Sequence, residues 1–438
     1  MKQSIKKNIV SMTAVSAVAL GIFAGTNMPI SGAEAQSNAE NGKAKNVIFM
    51  IPDGFSAAYA TNYRLFKGEE TLLDSMLVGM HRTYSASSEI TDSAAAGTAF
   101  ATGVKTNNGM ISTSPDGKEL KTILEAAEEE GKASGLVATS TITHATPAVF
   151  ASHVASRSDE ADIAPQLIAN GVDVLLGGGK KYFPESLLNE AKEKGYDYIS
   201  DKNGLAEAEE SDKLIGLFAE EGMAPELDRD STNEPSLREM TRTALDVLQK
   251  NKDGFFLMVE GSQIDWAGHD HDAAWAMKDS EAFKQALEEV LEFAKQDKNT
   301  LVIVAGDHDT GGMSVGGYGH GDVKLEELHK VTATGNFMAA QLDETRSNIK
   351  EVVKQYTTFD LTDAEIQKIK ESETPDIAIN DVVSERASVG WTSTNHTGVD
   401  VPLYAYGAGS DLFEGLHENT DIPGLIAQAM NIKFTPGE

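Results

Sequence analysis

The sequence predicts an α/β protein: a three-layer α/β/α sandwich on a central, mostly parallel sheet, with an insertion that caps it. Two observations carry this reading. Short apolar runs recur without polar alternation, as strands buried on both faces do, and longer charged segments of helical spacing separate them. Polar residues also gather where several of these runs end, which is where ligands bind in such sheets.

The elements follow in order. Lys2, Lys6 and Lys7 precede a mainly apolar stretch over residues 9–24, and Ala33-Glu34-Ala35 follows before Gln36. That layout predicts a secretory leader over residues 1–35, cleaved after Ala35, and so a secreted or periplasmic protein. The alternative, a membrane anchor, fits less well: the run is short for a span of about 20 residues, and no second such stretch follows. Residues 36–45 read as a linker, and 46–438 as a single domain.

Residues 46–51 (NVIFMI), bounded by Pro52-Asp53-Gly54, form the first predicted strand. Residues 135–138, 172–176, 255–259, 301–305 and 403–406 supply further ones. The intervening segments 120–131, 237–251 and 279–295 carry helical spacing. Two regions break the alternation. Residues 182–234 are polar and read as an irregular surface excursion. Residues 320–384 are charged, with a helix-like piece at 362–372 (TDAEIQKIKES), and read as the capping insertion.

Composition narrows the function classes. A formal charge of −31 disfavours nucleic acid and anionic membranes as partners. It also repels phosphorylated ligands at long range, so a phosphate site here needs local positive charge from metals or arginine. The chain has no cysteine, so an exported form must draw its stability from a large core, bound metals or oligomerisation.

Two groups of residues carry chemistry, the first a set of candidate metal ligands from several segments. Glu260-Gly-Ser-Gln-Ile-Asp265-Trp-Ala-Gly-His269 follows the strand at 255–259. With a helix starting near Ser262, Asp265 and His269 stand four apart on one face, a spacing suited to one metal. Asp307-His308 follows the strand at 301–305, and Asp53 and His396 complete a set of metal-ligating side chains. Taken singly, Asp53 could cap a helix and His396 could be an ordinary hydrogen-bonded histidine. The second group is the segment Ile90-Thr-Asp92-Ser93-Ala-Ala-Ala-Gly97-Thr98. Its small residues allow a close-packed helix start whose N–H groups face an anion, and a serine there beside a metal is an activated nucleophile. Read alone, it is sooner a helix start with an alanine-rich packing face.

These elements, in this order, resemble the alkaline phosphatase family, from about residue 46 to the C-terminus. The Asp-Ser-Ala-Ala-Ala-Gly-Thr stretch is similar to that family's nucleophile signature. The resemblance implies phosphate monoester hydrolysis through a phosphoserine, two zinc ions with a magnesium alongside, and a homodimer. Matched residue by residue, Asp265, His269 and His396 correspond to the first zinc site. Asp53, Asp307 and His308 correspond to the second, and Asp53, Thr146 and Glu260 to the magnesium site. Ser93 matches the nucleophile, and Arg157, in His153-Val-Ala-Ser-Arg157, the phosphate-binding arginine. Asp92 and His144 are expected just outside the ligands. His144 and Trp266 stand where many bacterial members carry Asp and Lys, which puts metal preference and phosphate affinity in question; Trp266 is still expected to face substrate. Thr310 stands where some members have histidine.

Rival readings lack their own marks. A sulfatase needs Cys or Ser in a Cys/Ser-x-Pro-x-Arg context, which Ser93 lacks. A diesterase of the same superfamily usually lacks the counterpart of Arg157. A non-catalytic zinc or phosphate binder has no need of Ser93. Among the other histidines, His81, His320, His329 and His417 read as surface or structural, and His271 as a neighbour of the metal site.

Overall fold

The computed structural model describes residues 43–319 and 322–437; the expected leader, most of the linker and His320 lie outside them. The first run forms β1 (Asn46–Pro52), whose residues are all buried. It follows the pleat: Ile48 and Met50 point into one apolar core, while Val47, Phe49 and Ile51 point into another. A strand buried on both sides has no polar face, which is why it reads as an unbroken apolar run.

The remaining strands are β2 (Leu77–Arg82), β3 (Ala133–Thr141), β4 (Val174–Gly178), β5 (Tyr196–Ile199), β6 (Lys213–Leu217), β7 (Phe255–Gly261), β8 (Thr300–Ala305), β9 (Asp309–Thr310), β10 (Ser314–Val315), β11 (Val389–Gly390), β12 (His396–Thr397), β13 (Val401–Gly407) and β14 (Gly415–Glu418). Ten of them make one sheet in the order β14-β2-β13-β8-β1-β7-β3-β4-β6-β5. β1 lies at its centre, parallel to both β7 and β8, with Ile51 opposite Glu260. Only β13 runs antiparallel to its neighbours. Two small ladders, β10 with β11 and β9 with β12, stand apart; the second sets His396 opposite Thr310.

Helices cover both faces. Ala57–Lys67, Leu237–Leu248 and Ala273–Asp297 pack on one core, and Ser93–Thr102, Ile123–Glu129, Glu160–Asn170 and Ile422–Met430 on the other. Their starts are set by short polar side chains. Asp272 Oδ1 accepts from Trp275 N at 2.9 Å, and Thr122 and Ser236 form capping boxes with Glu125 and Glu239. Each such cap is worth about 1 kcal/mol.

The expectation for residues 182–234 is corrected. That region contributes β5 and β6 to the main sheet, besides the helix Glu185–Glu193. β5 (YDYI) is an edge strand with its middle residues exposed, so its apolar signal is diluted. Residues 325–387 form a 3₁₀ turn and the helices Gly335–Ala340, Ile349–Thr357, Asp363–Glu371 and Pro375–Ala387. They enclose a small apolar cluster of their own that includes Met338, Val353, Ile369 and Ile379.

Candidate active site

The central strands deliver the buried acids. Asp53 follows β1, Glu260 closes β7, and Asp307 with His308 follows β8; all four are fully buried. Gly54 makes the tight turn after Asp53 at φ +73°, and a Cβ there would lie 2.7 Å from Thr310 Oγ1 and 2.9 Å from Asp265 Cα. Its N–H donates to Asp307 Oδ1 at 3.0 Å, which ties the ends of β1 and β8 together.

The helix Gln263–His269 sets Asp265 and His269 one turn apart. His269 Nε2 lies 3.3 Å from Asp265 Oδ2. His396 Nε2 lies 3.4 Å from Asp265 Oδ1 and 3.2 Å from His269 Nε2. The far nitrogens are spoken for: His269 Nδ1 donates to Thr394 O at 2.7 Å and His396 Nδ1 to Thr91 O at 2.9 Å. A carbonyl only accepts, so each Nδ1 carries a proton, and Nε2 is the nitrogen that each ring presents to Asp265.

A second cluster joins Asp53, Asp307 and His308, with His308 Nε2 3.6 Å from Asp53 Oδ1 and 3.2 Å from Asp307 Oδ2. Thr146 Oγ1 donates to Asp53 Oδ2 at 3.4 Å, and Glu260 lies on the same side. A ring nitrogen of His144 falls within 4.8 Å of carboxylate oxygens of both Asp53 and Glu260. Every residue expected at a metal site is therefore brought into one centre.

The electrostatics of the centre follow from burial and from the closeness of its charges. Burial, then the charges of Asp307, Asp265 and Glu260, push the Asp53 carboxyl well above its usual range. Burial raises Glu260 to about 7 and Asp307 to about 6. Asp265 goes the other way, because bonds from His269 and His396 outweigh the burial that raises it. Asp53 Oδ1, Glu260 Oε1, Asp307 Oδ2 and His144 Nδ1 have no hydrogen-bond partner although buried. Orphaned buried oxygens of several acids, beside imidazole nitrogens, are a donor set for divalent cations.

Ser93 opens the helix Ser93–Thr102 and is 2% exposed. Its Oγ lies 3.2 Å from His308 Nε2. Asp92 caps that helix through Ala95 N at 3.0 Å, and its other oxygen accepts from Gly109 N at 2.9 Å and from Arg157 Nη1 at 3.1 Å. Arg157 Nη2 reaches His144 Nε2 at 3.1 Å. Burial, then the Arg157 cation, pushes His144 down to about 3, so its ring is neutral. Trp266 packs edge-on against that ring, centroids 6.0 Å apart. Asp92, Ser93, His144, Arg157, Trp266, His269 and His396 line a cleft of about 430 Å³.

Ile90, Thr91, Asn108 and Asn395 also line the cleft, and the sequence reading did not single out Asn108 or Asn395. Both lie in loops and carry no spacing signal. The carbonyls of Thr91 and Thr394 were equally invisible, because any residue supplies one. Outside the cleft, buried His81 bonds Gly306 O at 3.0 Å, His329 stacks on Phe66 and His417 lies by Glu414 O.

Comparison with known proteins agrees with this arrangement. Residues 44–432 match the family described as alkaline phosphatase. Alkaline phosphatase 3 of Bacillus subtilis is 42% identical, over 98% of each chain. The crystal structure of a cold-active alkaline phosphatase from a psychrophilic Shewanella superposes with a TM-score of 0.83 at 36% identity, covering 88% of this chain and 99% of that one. The alkaline phosphatase of the Antarctic bacterium TAB5 gives 0.69 at 28% identity, over 89% of this chain and 99% of that one. A full-length match of this kind, on a fold whose central strands end in the expected acids and histidines, settles the kinship: the chain belongs to the alkaline phosphatase family of phosphoric monoester hydrolases.

Proposed function

We propose that the enzyme hydrolyses phosphate monoesters through a covalent phosphoserine on Ser93, beside two zinc ions and one magnesium. The observation that carries this is the Ser93 Oγ, 3.2 Å from His308 Nε2 at the edge of the buried acids, in the same cleft as Arg157. Asp265, His269 and His396 would hold one zinc, and Asp53, Asp307 and His308 the other. Asp53, Thr146 and Glu260 would hold magnesium. When bound, such ions lower the pKa of nearby hydroxyls and stabilise charge on the attacking and leaving oxygens.

The chain's own groups do the rest. Ser93 Oγ forms a bond to phosphorus as the bond to the ester oxygen breaks, which releases the alcohol. Water then attacks the phosphoserine, restoring Ser93 and releasing inorganic phosphate. The transition state is loose, so positioning and charge stabilisation dominate. Arg157 supplies two parallel donors for non-transferring oxygens, and Asp92 holds its guanidinium in place. The helix Ser93–Thr102 begins at Ser93, so the positive end of its dipole would favour the same anion.

His144 marks the magnesium side as unusual. Variants of the TAB5 enzyme with one histidine changed to glutamate or aspartate hold magnesium in a site termed M3, and we assign His144 to the equivalent place. Residues 320–384 are taken as a cap on the catalytic domain. The enzyme is further taken to be an exported homodimer; light scattering and N-terminal sequencing of the secreted protein test both. No helix among the described residues is long and apolar enough to cross a membrane.

The test of the nucleophile is direct. Ser93→Ala should keep fold and metal content and lose most turnover, and wild type quenched with substrate in acid should carry phosphate on Ser93. Phosphate on another residue, or near-normal turnover in the variant, refutes the assignment.

A further inference from the structure

His271 stands two residues beyond His269 and belongs to none of the ligand clusters. Its backbone is left-handed, φ +54°, a conformation uncommon for a residue with a side chain. Both ring nitrogens and one face of the ring are engaged. It lies flat on Trp391, centroids 5.2 Å apart and planes 5° apart. Its Nδ1 is 3.1 Å from Asp381 Oδ1 and its Nε2 is 3.0 Å from Ser393 O. Ser384 Oγ donates to the His271 carbonyl at 2.9 Å and accepts from Trp391 Nε1 at 3.0 Å.

These contacts join two places. Asp381 and Ser384 lie on the helix Pro375–Ala387, whereas Ser393 lies in the loop between β11 and His396. The next carbonyl, that of Thr394, is the one that fixes the His269 proton on Nδ1. Gly311 N bonds Asn395 O at 2.9 Å, and β12 begins at His396. A shift of the loop would therefore disturb His269 through its carbonyl partner and His396 through its backbone.

We infer that His271, stacked on Trp391 and anchored by Asp381, is a positioning residue that holds residues 393–396 so that Asp265, His269 and His396 retain their metal. The inference rests on the proposed assignment of those three as zinc ligands. Partners that orient a ligating histidine are worth about 10- to 100-fold in metal affinity. The brace should therefore act on one zinc and leave the Asp53, Asp307 and His308 site alone, which a general loss of packing would not do.

The experiment uses full-length enzyme loaded with zinc and magnesium, and measures zinc release to a chromophoric chelator alongside metal content. His271→Ala, one residue removed from the direct partner Thr394, should weaken the zinc proposed at Asp265, His269 and His396 by up to about 10-fold, leave the other zinc and the magnesium in place, and recover kcat in excess zinc. Asp381→Asn should shift the same zinc in the same direction by less. Unchanged zinc release together with a lower melting temperature of the chelated protein would overturn the proposal, because the contacts would then serve the fold alone. If His271→Ala does not fold, Asp381→Asn and Trp391→Leu carry the same comparison. Wild type binding fewer than two zinc ions, or His269→Ala binding zinc like wild type, would instead sink the ligand assignment beneath it.

Discussion

Arg157→Ala tests how the cleft recognises a monoester. The guanidinium spans Asp92 Oδ2 and His144 Nε2, so its fork is oriented before substrate arrives. Hydrogen bonds to a charged group contribute about 1.5–3 kcal/mol each. The arginine side chain is 26% exposed, so water partly replaces the lost donors and the low end applies. Losing both bonds then costs about 3–4 kcal/mol, or about 10²- to 10³-fold in kcat/KM. A diester carries an alkyl group on one of the oxygens the fork would meet. One bond is then at stake, and the loss falls to about 10- to 30-fold. Arg157→Lys keeps the charge without the fork and should fall between wild type and alanine. The assay compares para-nitrophenyl phosphate with bis(para-nitrophenyl) phosphate at saturating zinc and magnesium, with inorganic phosphate as inhibitor. Asp92 keeps its bonds to Ala95 N and Gly109 N, so the melting temperature should hold. Equal fold-losses on both esters with unchanged phosphate inhibition would show that Arg157 serves the structure and not the substrate.

Three further outcomes are expected. Excess zinc should inhibit wild type by entering the proposed magnesium site beside His144, with added magnesium reversing it. His144→Asp should retain magnesium better and resist that inhibition, because magnesium prefers oxygen ligands; identical titrations and metal contents would refute this. Chelation should destabilise the enzyme more at high pH. Glu260, at about 7, and Asp307, at about 6, bind protons in the metal-free fold that the unfolded chain has released, so that fold loses stability as pH rises from the ordinary carboxylate range through those values. Melts with and without chelator across that range check it, and a flat difference counts against it. His81 has the opposite sign. Burial pushes it down to about 4, so below its ordinary value of about 6.5 the unfolded chain takes the proton first and stability falls with pH. Between about pH 7 and about pH 5 His81→Gln should lose about 2 kcal/mol less than wild type in denaturant melts.

What the sequence revealed depended on burial. β1, β7 and β8 are buried on both faces and ran as plain apolar stretches, and the acids that follow them stood out for that reason. β2, β5 and β14 lie at or beside the sheet's edges, where polar residues such as Arg82, Asp197 and Glu418 break the apolar run. β6 (KLIGL) is buried but only five residues long, and polar surroundings hid it. The site divides the same way. Asp265 and His269 could be paired from helical spacing, since one turn links them. That His396 joins them follows from the β9–β12 ladder and from the carbonyls of Thr91 and Thr394, and no residue type announces those.

The small ladder that sets His396 opposite Thr310 has a consequence for biosynthesis. The proposed metal centre draws on residues from Asp53 to His396, and central β1 takes as its neighbours β7 and β8, more than two hundred positions later in the chain. Such distant pairings form slowly, and they cannot form until those segments have been made. A nascent or truncated chain that stops short of His396 lacks one of the ligands proposed for the first zinc, however well its earlier strands have folded. Metal loading then reports on completion of the polypeptide, so a chain ending before His396 should retain less zinc than the full chain, which also adds β13 between β2 and β8.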